Sequence, residues 1–95
     1  MQTEIENNVP NLDALDISEL WSIYNDIREF PWKTARKFFP TRPIGYIKAI
    51  ESLSYYTANK ATAMKCRLDG KIATALIYES ICDTIYGRLP EWARW

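Results

Sequence analysis

Apolar residues in this chain recur at helical spacing in four stretches, and no stretch alternates at the two-residue spacing of a strand. In "DISELWSIYNDIREF", Leu20, Trp21, Ile23, Tyr24, Ile27 and Phe30 fall on one arc at about 100° per residue, with Glu19, Ser22, Asp26 and Glu29 opposite. That pattern predicts an amphipathic helix. Asp16, with Glu19 three residues on, has the form of a capping box at its start. Pro31 should end it near Phe30, because the residue before a proline is disfavoured in the α region. "PWKTARKFFP" then reads as a short helix with proline at its first position. Trp32, Ala35 and Phe38 or Phe39 form one side of it; Lys33, Arg36 and Lys37 form the other.

The third stretch offers Thr41 as an N-cap and Pro43 in the first turn, where a missing N–H costs little. Ile47, Ile50, Leu53, Thr57, Ala61, Met64 and Leu68 share a face flanked by Ser54 and Ala58, small enough for another helix to approach closely. Asp69-Gly70 breaks the pattern, with Gly70 as the residue just past the helix end. The fourth stretch, "KIATALIYESICDTIYGRL", differs in kind. Ile72, Ile77, Tyr78, Ile81, Cys82, Ile85, Tyr86 and Leu89 cover most of its circumference, leaving a narrow polar strip of Glu79, Ser80, Asp83 and Gly87. Such a girth predicts a central helix packed on more than one side. The fold class expected is all-α: a small helical bundle built on a long antiparallel hairpin with a shorter N-terminal helix. Residues 1–11 are polar and aperiodic and read as a flexible tail; residues 12–95 read as one helical domain.

Charge changes the picture next. The net charge is zero, but residues 1–30 carry seven acids against Arg28, a net −6, and residues 33–71 carry nine bases against Glu51 and Asp69, a net +7. Either the basic half is a binding surface, or the acidic first helix lies across it and neutralises it. No run of about 18 apolar residues is present to span a membrane. The N-terminus has neither the basic nor the apolar region of a signal peptide, so an intracellular location is the default expectation.

The strings "RPIGYIKAI", "ANKATAMKCRLDG", "YESICDTIYGRLP" and "LPEWARW" resemble a group of small proteins encoded by tailed bacteriophages. The resemblance runs over roughly residues 40–95, and more faintly through "NLDALDISELW". It implies a phage source, hence the host cytoplasm, and an all-helical fold. It supplies no active-site residues.

The chain contains no histidine, which removes the commonest general base and zinc ligand and every Ser-His or Cys-His nucleophile pair. Its three glycines are isolated, so there is no phosphate loop. In a hairpin turning at Asp69-Gly70, Cys66 and Cys82 are staggered by roughly 12 Å, beyond the reach of a disulfide. Glu79 and Asp83 sit i,i+4, but the hairpin's symmetry sets Lys60 opposite Glu79 and Tyr56 opposite Asp83. An ion pair and a hydroxyl–carboxylate bond therefore account for both acids. Catalytic residues, cofactors and metals are not expected.

Two binding candidates remain. Lys33, Arg36, Lys37 and Arg42, beside Trp32 and Phe38 or Phe39, combine charge with aromatic surface as single-stranded nucleic-acid sites do. Thirteen aromatic residues also provide material for a protein interface, where Trp, Tyr and Arg dominate. Tyr55 and Tyr56 lie off the main apolar face of their helix, and Trp92 and Trp95 close the chain. At least Trp92 is expected to dock, on the Trp21/Tyr24 face of the first helix or the side of the hairpin, with Arg94 exposed. The functional expectation is a non-enzymatic accessory protein that binds another protein or itself, as a homodimer through the hairpin and Tyr55. Nucleic-acid binding through residues 33–42 is the alternative.

Overall fold

The computed structural model describes residues 7–41 and 47–95. Among them are four α-helices and no strand: α1 (Ile17–Glu29), α2 (Pro31–Phe38), α3 (Ile47–Leu68) and α4 (Ile72–Arg88). Two 3-10 turns, Leu12–Ala14 and Glu91–Ala93, flank this set. The start of α1 is the capping box expected: Asp16 Oδ1 accepts from the Glu19 N–H at 2.8 Å, and Glu19 Oε1 accepts from the Asp16 N–H at 3.0 Å. Pro31 opens α2 at its first position. The expected cap at Thr41–Pro43 involves residues 42–46, which lie outside the described residues.

The turn between α3 and α4 is a Schellman motif. The Lys71 N–H donates to Cys66 O at 2.8 Å and the Gly70 N–H to Arg67 O at 3.1 Å, with Gly70 at φ +77°. That left-handed backbone is why glycine stands there. α3 and α4 fold back as an antiparallel hairpin, α1 packs along α3, and α2 contacts α1 and α3. The core is therefore centred on α3, whose Ile50, Leu53, Thr57 and Ala61 are fully buried together with Leu12, Leu20, Ala35 and Phe39.

Several expectations are corrected here. α4 is an edge helix, not the central one: it packs extensively on α3 alone and buries only Ala75 and Cys82. Of the α1 arc only Leu20 and Ile27 are buried, while Trp21 and Phe30 reach solvent. In α2 the buried side is Thr34, Ala35 and Phe38, with Trp32 outside it; Thr34 Oγ1 donates to Asp26 O and so ties α2 back to α1. Leu68 ends the α3 face exposed. The described part of the expected tail, residues 7–11, is held to the domain. The Asn8 N–H donates to Phe38 O, Val9 packs against the core, and Asn7 Nδ2 donates to Trp92 O and Arg94 O. Cys66 and Cys82 are free thiols.

Candidate interaction surfaces

The aromatic end of the chain is part of the fold. Pro90 stops α4 and the following 3-10 turn carries Trp92 onto Phe39, ring edge to ring face, at 5.3 Å between centroids. Trp95 wedges between Tyr56 of α3 and Tyr86 of α4, at 4.6 and 4.8 Å. The tail thus docks on the hairpin's side and on Phe39, while Trp21 and Tyr24 pair with each other elsewhere. Arg94, expected in solvent, is half-buried. Its guanidinium lies 5.3 Å from the Tyr86 ring centroid and donates to Gly87 O. A cation over an aromatic face is attracted by the ring's negative quadrupole, which explains the fold-back.

Asp13 is the hub beneath this end. Its carboxylate accepts from Tyr56 Oη at 2.5 Å and Trp95 Nε1 at 3.3 Å, and Lys60 Nζ stands 3.6 Å away. Burial alone would push this carboxyl up. The bonds from Tyr56 and Trp95 and the Lys60 charge outweigh it and hold Asp13 below the ordinary carboxylate range. Burial, then the bond to Asp13, pushes the Tyr56 phenol well above its usual value. Tyr56 is thus a buried partner of Asp13, neither a surface residue nor a partner of Asp83. Burial likewise pushes the Cys82 thiol up to about 11. Glu79 pairs with Arg67 rather than with Lys60, in a two-pronged guanidinium–carboxylate contact that lowers its pKa. No three Cys, Asp or Glu side chains converge as metal ligands among the described residues.

Three surfaces are left. On α2, Lys33, Arg36 and Lys37 point outward beside the exposed Trp32 and Phe30, with Lys33 Nζ 5.7 Å from the Phe30 ring centroid. None of the three forms a salt bridge among the described residues. The acids of α1 therefore do not neutralise them, and Asp13–Lys60 is the described ion pair linking the acidic start to the basic stretch. Arg42 lies outside the described residues. The second surface is a cleft of about 280 Å³ where Tyr55, 58% exposed, stands near Trp32, Pro31, Ile27 and Ile50.

The third is the outer side of α4. Ile72, Leu76, Ile77 and Ile81 are exposed, and Ala73, Ser80 and Thr84 lie between them at i,i+3 and i,i+4 spacing. From Ile72 to Ile81 the only charged residue is Glu79, and Arg67 draws it toward α3. An all-round apolar girth predicts neighbours on more than one side and so points away from an open face. Its isoleucines were visible in the sequence; the missing neighbour was not. Among the described residues no helix is long and apolar enough to cross a membrane. Compared with known proteins, the chain matches no family model, no curated protein and no solved structure, so its function is argued from these surfaces alone.

Proposed function

We propose that this protein is a non-enzymatic, phage-type accessory protein that works by docking another polypeptide on the outer face of α4. One observation carries the reading: a helix of 17 residues leaves Leu76 and Ile77 more than half exposed in a stretch, Ile72 to Ile81, whose one charged residue is paired with Arg67. Contiguous apolar surface of this kind on a small protein marks a contact site, because leaving it in water forgoes the burial that stabilises every other helix here. The tail tryptophans are engaged by Phe39, Tyr56 and Tyr86, which favours α4 over them as the docking element. A photo-reactive amino acid placed at Ile77 tests the reading in cells making the protein. Crosslinks to polypeptide are expected from Ile77 and not from Glu29 on α1. Their absence at Ile77 refutes it.

A second reading rests on the bases of α2, which form no salt bridge among the described residues. Lys33, Arg36 and Lys37 beside Trp32 form a basic–aromatic strip suited to phosphates and stacked bases. Such a strip should bind single-stranded nucleic acid with a steep salt dependence, each phosphate contact adding roughly 0.7 to the log–log slope. Charge reversal at all three positions should abolish binding. If the native protein shows no binding even at low salt, the strip is an ordinary solvated face.

A further inference from the structure

We infer that the occupant of the α4 face is a second copy of this chain, seated antiparallel so that the two hairpins form a four-helix layer with the α4 helices at its centre. The inference rests on the docking role given to this face above and names its partner.

Three features single out a second copy. The first is area. The exposed parts of Ile72, Leu76, Ile77 and Ile81, with Ala73, Ser80 and Thr84 between them, amount to roughly 500 Å². Doubled by symmetry, that reaches the ~1,000 Å² at which specific interfaces begin.

The second feature is self-complementarity. An antiparallel crossing with its two-fold axis level with residues 78 and 79 sets Ala73 of one copy opposite Thr84 of the other. Ile77 of each copy then falls level with Ser80 of the other. Large side chains thereby fall beside small ones, the condition for close helix packing. The same patch serves both copies, as a two-fold interface requires. The third feature is charge. The chain's net charge is zero, so copies do not repel at long range, and from Ile72 to Ile81 the one charged residue, Glu79, is paired with Arg67. Pairing would also place α4 between two neighbours, the position its apolar girth demands.

Sedimentation of the full chain between about 1 and 100 µM should show a monomer–dimer equilibrium. Ile77→Asp should weaken it by at least ~30-fold, Ser80→Glu should weaken it as well, and Tyr55→Asp should leave it unchanged. Both α4 positions are solvent-exposed in the monomer, so circular dichroism should show these variants folded. A monomer at every concentration overturns the inference, as does a dimer indifferent to both α4 substitutions. A monomer that still crosslinks to polypeptide through Ile77 loses the second copy but keeps the docking role. A monomer without such crosslinks loses both.

Discussion

α3 and α4 are the two arms of one hairpin, yet α3 buries eight of its residues and α4 two. Composition does not explain the difference, since α4 carries four isoleucines to the two in α3. Position does. α3 has both α1 and α4 as extensive neighbours, and its small residues Ala49, Ser54, Thr57, Ala61 and Ala63 are buried. α4 has one extensive neighbour, and it turns Ala75 and Cys82 toward it. In α4 small residues mark where the helix is covered, and large apolar ones mark where it is not.

The comparison breaks most sharply with truncation of one residue in each arm. Leu53→Ala in α3 removes a fully buried side chain and should cost about 2–5 kcal/mol in urea unfolding. Ile77→Ala in α4, measured at concentrations too dilute for pairing, should change stability by less than ~0.5 kcal/mol. Comparable costs at both sites would mean that the two arms are equally buried in solution.

Trp95 sharpens the contrast by holding both arms at once. Its ring touches Tyr56 of α3 and Tyr86 of α4, Tyr86 Oη donates to its carbonyl, and its indole reaches Asp13. Trp95→Ala should lower stability by about 2–3 kcal/mol, less than a fully buried tryptophan because the ring is half-exposed. Removal of residues 91–95 should cost more, through Trp92. An unchanged melting temperature for that truncation would show that the tail does not brace the hairpin.

What could be read before the structure divides along the same line. Asp16/Glu19, Pro31 and Gly70 act within a few residues of themselves, so their capping box, helix start and turn were legible from spacing. The strap was not: Asn7 finds its acceptors 85 and 87 residues away, where no local pattern points. Asp13 is similar, meeting Tyr56 across 43 residues and Trp95 across 82. For α4 the apolar girth was legible but the supply of neighbours was not, because periodicity states how much surface seeks cover and not how much is present. The candidate site was half legible for that reason.

Acidity tests the end of the bundle where the two arms meet the strap. Asp13 titrates lower folded than unfolded, so its contribution is present above the ordinary carboxylate pKa near 4 and is lost as pH falls through its folded value. Asp13→Ala should cost about 1–2 kcal/mol at neutral pH, and both this variant and Asp13→Asn should flatten the acid limb. The Cys82 thiol works in the opposite sense. Its folded value is raised to about 11, so its contribution is whole below the unfolded pKa and is lost as pH rises toward about 11. Cys82→Ala should remove that part of the alkaline loss. An acid limb identical in wild type and Asp13→Asn would remove Asp13 from its place as hub.

The smallest effect separates the two arms by backbone alone. Gly87 lies within α4 without a positive φ, and a Cβ there would meet nothing within 4 Å. Gly87→Ala should therefore stabilise by about 0.5–1 kcal/mol. Gly70→Ala, at the left-handed turn, should destabilise by a similar amount. Equal signs for the two substitutions would contradict the backbone assigned to the hairpin.

The bond from Asn7 to the carbonyls of residues 92 and 94 also bears on the order of events in folding. Contacts between neighbours such as α3 and α4 close short loops and form early, whereas a contact spanning nearly the whole chain carries the largest loop-closure entropy. The strap and the aromatic end should therefore engage after the rate-limiting step. Interactions absent from a transition state act on the escape rate and not on the entry rate. In a chevron plot, Asn7→Ala should steepen nothing on the refolding arm and lift only the unfolding arm. The clasp at the two ends is then the timer of the folded state: it sets how long a molecule stays native, having had no part in how quickly it became so.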